Sequence, residues 1–143
     1  MIGVVLATHG ELGRALIGAM EMIVGAQPLV AALSLQVADR IEDATSRLQE
    51  ALDVADDGDG VLVLTDMLGG TPSNLCLALI GGPRLVEVVS GVNLPMLLKA
   101  AQVRRESDLP ETAAQVKKVG RSAIIVASEV LAGPESPAAA SRP

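Results

Sequence analysis

The chain has 143 residues, of which 50% are hydrophobic and none is Phe, Tyr or Trp, and its formal net charge is −6. This length suits one domain with an aliphatic core. The acidic balance and the lack of aromatic rings argue against nucleic acid as a partner, and against a carbohydrate cleft built on aromatic side chains.

The first half of the chain alternates buried strands with amphipathic helices. The predicted elements are a strand over 2–7, a helix over 11–24, a strand over 29–35 and a helix over 41–52. Continuous apolar runs indicate the strands, and apolar residues at helical spacing indicate the helices. Gly25 is typical of a helix end, and Asp39 to Glu42 has the Asp-x-x-Glu form of a capping box.

An acidic segment at 56–60, "DDGDG", separates the two halves. Such a run suggests a calcium loop, but counting from Asp53, Asp56 or Asp57 puts no glutamate at the twelfth loop position. A solvated turn is the simpler interpretation.

The second half repeats the alternation of strands and helices. The predicted elements are a strand over 61–65, a helix from Thr71 to Ile80, a strand over 85–89, helices over 94–104 and 108–120, and a last strand over 122–127. Strands that alternate with helices need crossover connections, so the first four strands are expected to run parallel. The sequence therefore predicts a three-layer open α/β sandwich, formed by one domain over residues 1–131. The tail over 132–143 has little to bury and is expected to be disordered.

Three further features limit the location and chemistry of the chain. Cys76, in an apolar stretch, is the one cysteine, so neither an intrachain disulfide nor a cysteine-rich metal site can form. No apolar run reaches the roughly 20 residues of a membrane span, and the start lacks the basic region of a signal peptide. These features predict a cytoplasmic protein without direct membrane insertion.

Small, polar and glycine residues follow three of the predicted strands. They are Thr8, His9 and Gly10 after the first strand; Thr65, Asp66, Gly69, Gly70, Thr71 and Pro72 after the third; and Ser90, Gly91 and Asn93 after the fourth. In open parallel sheets, ligands bind outside the carboxyl ends of the strands. We therefore expect the functional site at this edge.

His9 is the single histidine of the chain, and Asp66 occupies the equivalent place after the third strand. If these strands are neighbours, the carboxylate can accept a hydrogen bond from one ring nitrogen and leave the other with a free lone pair. That is the arrangement of a histidine nucleophile. The alternatives are a structural histidine and an aspartate that is favoured by the positive end of a helix.

The segment "GGTPSN" at 69–74 is a glycine-rich loop at a predicted helix start, with Thr71 as N-cap and Pro72 at the first helical position. Such a loop can hold an anion on its backbone amides, which next to His9 suggests a phosphoryl group. It lacks the lysine of a nucleotide-binding P-loop. The segment "GVNLP" could supply a second helix start, capped by Asn93. The lack of a second histidine disfavours a histidine phosphatase.

Three motifs in this order, "GVVLATHGELGRAL", "VLVLTDMLGGTPSN" and "VVSGVNLPMLLKA", resemble the mannose-family enzyme IIA component of the bacterial phosphoenolpyruvate:sugar phosphotransferase system. The resemblance runs from Met1 to about Val130. It implies a phosphotransferase in which His9, hydrogen-bonded to Asp66, accepts a phosphoryl group from the carrier protein HPr and passes it to a IIB component. It also implies that Gly69, Gly70 and Thr71 contact the phosphoryl group.

The resemblance further implies a doubly wound sheet and a homodimer that exchanges its last strand, here residues 122–127. This scheme requires no metal and no cofactor. The sequence shows no IIB domain, so the acceptor is expected to be a separate protein. Arg14, one turn after His9, is a candidate contact for the carrier or an ordinary solvated charge.

Two other functions remain open at this point. A regulatory phosphoprotein would accept the same phosphoryl group but would control a target protein instead of sugar uptake. A phosphotransfer subunit of a dihydroxyacetone kinase would have a related site, although the "GGTPSN" loop fits the mannose type better.

Overall fold

In a computed structural model, which describes residues 1–133, a four-stranded sheet lies between two layers of helices. The strands are β1 (Gly3–His9), β2 (Val30–Leu35), β3 (Val61–Thr65) and β4 (Val86–Ser90). The helices are α1 (Leu12–Val24), α2 (Ile41–Ala55), α3 (Thr71–Leu77), α4 (Leu94–Val103), α5 (Leu109–Ser122) and α6 (Ala127–Ala132). The predicted three-layer α/β architecture is confirmed. Within residues 1–133, no helix is long and apolar enough to cross a membrane.

The sheet has the strand order β2-β1-β3-β4, and all three pairings are parallel. Successive side chains of a strand point to opposite faces, so a strand covered on both faces is apolar throughout. Val5 and Val63 pack with α2 and α3 on one face, and Leu6 and Leu64 pack with α1, α4 and α5 on the other. The continuous apolar runs of the sequence are thus explained by burial on both faces.

The two central strands position the predicted site. β1 pairs with β3 in a register that sets Ala7 opposite Thr65. His9 and Asp66 lie just beyond this pair, so adjacent strands deliver both residues to the same carboxyl edge of the sheet. The expectation that the first and third strands are neighbours is confirmed.

Two predicted helix starts differ from the structure. The N-cap of α2 is Arg40, and the Asp39 carboxylate instead accepts hydrogen bonds from the Gln36 N–H at 2.8 Å and the Arg47 guanidinium at 3.1 Å. The predicted capping box is therefore wrong, because the Asp39 carboxylate is hydrogen-bonded within the turn before the helix and to Arg47 instead of capping α2.

At the start of α3 the N-cap is Gly70, whose carbonyl accepts from the Asn74 N–H, so Thr71 is already helical. The prediction of Thr71 as N-cap is wrong by one residue. The helix ends at Leu77, three residues before the predicted end. Asn93 does cap α4, since its Oδ1 accepts from the Met96 N–H at 3.0 Å.

Residues 122–127 do not form the predicted last strand within this chain. Ser122 ends α5, residues 124–126 have no regular structure, and Ala127 begins α6. A strand needs a neighbouring strand to accept its backbone hydrogen bonds, and the expected neighbour belongs to a second chain. The exchange of this segment stays a prediction. Of the predicted tail, Ala132 ends α6, and residues 134–143 lie outside the described residues.

A buried arginine, which sequence analysis did not single out, links three segments at the amino ends of the strands. Arg104 is 1% exposed, and its guanidinium donates to the backbone carbonyls of Ile2 and Pro28 and to the side chain of Gln27. Burial, aided by the nearby charge of Arg105, lowers the pKa of Arg104. These hydrogen bonds join the end of α4 to the segments that precede β1 and β2.

Candidate functional site

The site is built on a hydrogen-bonded pair, His9 and Asp66. The Asp66 Oδ2 lies 2.8 Å from Nδ1 of the His9 ring and also accepts from the His9 backbone N–H at 3.0 Å. The Asp66 side chain is 13% exposed, whereas the His9 side chain is 51% exposed. One carboxylate oxygen therefore fixes both the backbone and the ring of His9, and the ring still faces solvent.

The electrostatics of the pair favour an ionised aspartate. Burial alone would raise the pKa of Asp66, but the hydrogen bonds from the backbone and ring of His9 outweigh it, and the pKa is lowered from its ordinary value. An ionised carboxylate is acceptor-only, so the Nδ1 that faces it carries the proton. The Nε2 lone pair is then available to a ligand.

The glycine loop after β3 lies against the Cε1 and Nε2 atoms of this ring. A Cβ atom on Gly70 would come within 2.9 Å of the His9 Cε1 and 3.4 Å of Nε2. Gly69 has φ +89°, a backbone conformation that favours glycine. Glycine at these two positions lets the loop backbone approach Nε2, directly before α3 begins at Thr71. Gly70 thus lies against the ring, and Thr71 lines the same pocket as His9. That Gly69, Gly70 and Thr71 contact a phosphoryl group stays a prediction.

Two hydrogen bonds fix the turn between β1 and α1, on either side of His9 in the sequence. The buried Oγ1 of Thr8 accepts from the Gly13 N–H at 2.8 Å. Gly10 has φ +52° and donates its N–H to the Leu35 carbonyl at 2.8 Å. Arg14 is 63% exposed and its nearest carboxylate is that of Glu11, at 3.9 Å. It lies on the open surface one turn after His9, where it was expected.

The segment after β4 does not join this group. The Val92 N–H donates to the Thr65 carbonyl at 2.9 Å, but the Asn93 Nδ2 donates to the Gly120 carbonyl on α5. Ser90 and Gly91 line a separate depression against α5. Asn93, at the helix start that could supply a second anion site, is therefore engaged with α4 and α5, and no hydrogen bond within residues 1–133 joins it to His9 or Asp66.

A pocket of about 390 Å³ opens beside His9, and sequence analysis missed one of its walls. Thr71 and Pro72 line one side, and the β2–α2 corner supplies Val37 and Ile41 on the other. The exposed fractions of these last two side chains are 106% and 66%. Val37 and Ile41, two aliphatic residues on either side of the turn after β2, could have indicated this wall. The sequence does not show that β2 lies beside β1, so it does not place this turn next to His9.

Other candidate residues lie away from the site. In the acidic turn, Asp56 pairs with Arg84, and Asp57 accepts from the N-terminal ammonium group of Met1 at 3.2 Å. Burial raises the pKa of the Cys76 thiol to about 12, and the side chain is fully buried. The interpretation of Cys76 as a small core residue is confirmed.

Comparisons with known proteins show the family of the chain. A family model described as EIIA-man, PTS system fructose IIA component, matches residues 3–117. The fructose-specific EIIA component of Bacillus subtilis is 29% identical over 131 residues, which cover 92% of this chain and 90% of that protein. The mannose-specific EIIAB component of Escherichia coli K12 is 30% identical over 97% of this chain, which spans only 44% of that protein.

Solved structures of phosphotransferase system IIA proteins share the fold of this chain. A phosphotransferase system EIIA component from Streptococcus agalactiae superposes with a TM-score of 0.81 at 29% identity, covering 90% of this chain and 98% of that chain. A mannose/sorbose-specific IIA subunit from Enterococcus faecalis superposes with a TM-score of 0.77 at 32% identity, covering 87% and 93%.

The pKa of Asp66 can be tested by pH titration. We expect the ¹³C resonance of its carboxyl group to titrate below the ordinary value of 3.8. Because the pKa of Asp66 is lower in the folded chain than in the unfolded chain, its ionised carboxylate stabilises the fold. This contribution is fully present above the ordinary value and is lost as the pH falls through the lowered pKa. His9→Ala removes the ring donor and should raise the midpoint. An unchanged midpoint in this variant would show that the ring does not hold the carboxylate.

Proposed function

This chain belongs to the EIIA-man family of the phosphotransferase system, a family of phosphocarriers in sugar uptake, and from this premise we propose that His9 is the residue that carries the phosphoryl group. One observation carries the choice of residue: the hydrogen bond of 2.8 Å between Nδ1 and Asp66, which leaves Nε2 free on the exposed side of the ring. The glycine loop beside Nε2 supports the same assignment.

In the proposed reaction, the Nε2 lone pair attacks the phosphorus of a phosphorylated donor in line with its leaving group. The new N–P bond forms as the bond to the donor breaks, and Asp66 stabilises the positive charge that develops on the imidazole. Backbone N–H groups of Gly70 and Thr71, together with the Thr71 hydroxyl, would meet the phosphoryl oxygens. Transfer to the acceptor is the reverse of this step, so no metal or cofactor enters it.

The proposed partners are HPr as donor and a IIB component as acceptor. The surface around His9 suits a protein partner, because five large aliphatic side chains that are 45–106% exposed lie at this edge of the sheet. We call them the apolar collar: Leu12, Val37, Ile41, Met67 and Leu68. An aliphatic rim around a polar centre excludes water when another protein covers it, which protects a phosphoryl group during transfer.

The chain is also proposed to form a homodimer by exchange of residues 122–127. β4 is the last strand in the sheet order, and a depression of about 480 Å³ runs along it. Ile124 lines this depression and is 79% exposed, while Ile125 is 66% exposed. Pairing of this segment with β4 of a second copy would bury both isoleucines and complete the hydrogen bonds of an open sheet edge.

The first experiment tests phosphorylation of His9. Incubation of the chain with phosphoenolpyruvate, enzyme I and HPr, followed by intact-mass measurement at alkaline pH, should add one phosphoryl group. His9→Ala should add none. Asp66→Asn should transfer about 10²- to 10⁴-fold more slowly, because the amide can stabilise the wrong tautomer of the ring. Asp43→Asn, an exposed aspartate on α2, is the matched control.

Two outcomes would contradict the proposal. A phosphoryl group that persists in His9→Ala would place the acceptor atom elsewhere. A normal rate in Asp66→Asn with intact folding would reduce the aspartate to a residue that merely precedes a helix.

The apolar collar can be tested with two exposed aliphatic residues of the same helix. Ile41 and Val54 lie at opposite ends of α2 and are 66% and 65% exposed. Ile41→Asp should raise the apparent KM for phosphorylated HPr about tenfold, because a charge is then buried at the interface. Val54→Asp should leave it unchanged. Equal effects of the two substitutions would show that the collar is not where the donor binds.

The dimer is tested by sedimentation of the full chain. We expect a dimer for the unchanged protein and a monomer for Ile125→Asp, since an aspartate at this position disfavours burial of the exchanged segment. A monomeric unchanged chain at micromolar concentration would reject the exchange.

A further inference from the structure

We propose that a groove on the outer surface of α4 and α5 binds an acidic amphipathic helix of a partner protein, at a place separate from the phosphoryl-transfer site. The groove is formed by two adjoining depressions of about 430 and 500 Å³, which share Lys99 and Val119 in their walls. This proposal does not depend on which residue carries the phosphoryl group.

The walls of the groove are two helical stripes. On α4 they include Leu98, Lys99 and Gln102, and on α5 they include Lys118, Val119 and Ser122. Residues three or four apart lie on the same face of a helix, so each set forms one continuous stripe. With Pro95 on α4 and Gln115 on α5, the stripes run over 95–102 and 115–122. Each therefore extends over about two helical turns, which is roughly 10 Å of helix axis. A groove of this length receives about two turns of a third helix.

The floor and one end of the groove are apolar. Leu98 and Val119 are only partly buried by the rest of the chain. Ile23 and Val24, in the last turn of α1, close the end of the groove and are 60% and 44% exposed. Exposed aliphatic side chains that adjoin a groove are typical of a protein-binding surface, because contact with another protein removes them from water.

The positive charge of the groove favours an acidic partner. The three lysines of the chain, Lys99, Lys117 and Lys118, all lie on α4 and α5, although the net charge of the chain is −6. Lys99 and Lys118 stand on opposite walls of the shared depression, and neither forms an ion pair within residues 1–133. An apolar floor between two ammonium groups is complementary to an apolar helix face flanked by carboxylates.

The location separates this surface from the apolar collar. α4 and α5 pack on the face of the sheet that holds Leu6 and Leu64, whereas the His9 ring contacts the loop that leads into α3 on the other face. A second copy of this chain is a weaker match. Its α2 carries four carboxylates but already buries its apolar face in the core, and its short α6, which buries no residue, has the single carboxylate Glu129. A longer acidic helix of another protein fits both walls.

The probe for this proposal is a synthetic helical peptide with leucines at every third and fourth position, glutamates elsewhere and one tryptophan. The chain contains no aromatic residue, so the tryptophan fluorescence reports the peptide alone. We expect saturable binding, with amide shifts in NMR spectra confined to α4, α5 and the end of α1. Lys99→Glu and Lys118→Glu should each weaken binding about tenfold, as should replacement of the peptide glutamates by lysines.

The matched control is Arg105→Glu, since Arg105 is exposed after α4 and lines neither depression. It makes the same change in net charge and should leave the affinity unaltered. An equal loss in this variant, shifts centred on the apolar collar, or no binding at all would overturn the proposal.

A second measurement identifies the occupant in cells. A photo-cross-linking residue at Gln102 of the full chain, followed by sequencing of the cross-linked segment, should yield an acidic amphipathic helix of another protein. A cross-linked segment of this chain itself would assign the groove to a second copy and overturn the proposal, as would a segment without acidic residues.

Discussion

The site depends on one carboxylate oxygen, Oδ2 of Asp66, which bonds to both the backbone N–H and the ring Nδ1 of His9. Two hydrogen bonds from one residue leave the imidazole few orientations. Because Asp66 is more buried than the ring that it holds, the carboxylate is screened from water while the opposite nitrogen stays open. Fixing a tautomer in this way would prepare the proposed nucleophile, because it leaves a lone pair on the exposed nitrogen.

The parallel sheet makes this interaction possible. β1 and β3 are hydrogen-bonded in the centre of the sheet, so the residues that follow them meet at the same edge with little freedom to separate. Gly70 completes the arrangement, since its missing side chain is what brings the loop backbone to the ring. The proposed chemistry thus depends on residues at strand ends, and the aliphatic core supplies the rigidity that keeps them in place.

Three surfaces have distinct compositions, which suits distinct partners. The apolar collar around His9 is aliphatic, the open edge of β4 offers backbone hydrogen bonds, and the groove on α4 and α5 combines aliphatic residues with lysines. In a chain of net charge −6, this concentration of lysine on two helices is a local exception. We thus propose three sites on one small domain: a phosphoryl-transfer site, a self-association edge and a charged docking groove, of which the last two meet at Ser122.

The sequence by itself determined the layers and the first four strands, because a strand buried on both faces must be apolar throughout, as residues 61–65 are. It also placed His9 and Asp66 at one edge of the sheet, because each follows a buried strand directly; that this pair carries the phosphoryl group stays a prediction. Only the tertiary structure decided what depends on contacts between distant segments. Asp39 is bound by Arg47, the β2–α2 corner reaches His9, and Arg104 is buried under carbonyls from two other segments. Residues 122–127 have the composition of a strand, but a strand exists only where a neighbouring edge accepts its hydrogen bonds.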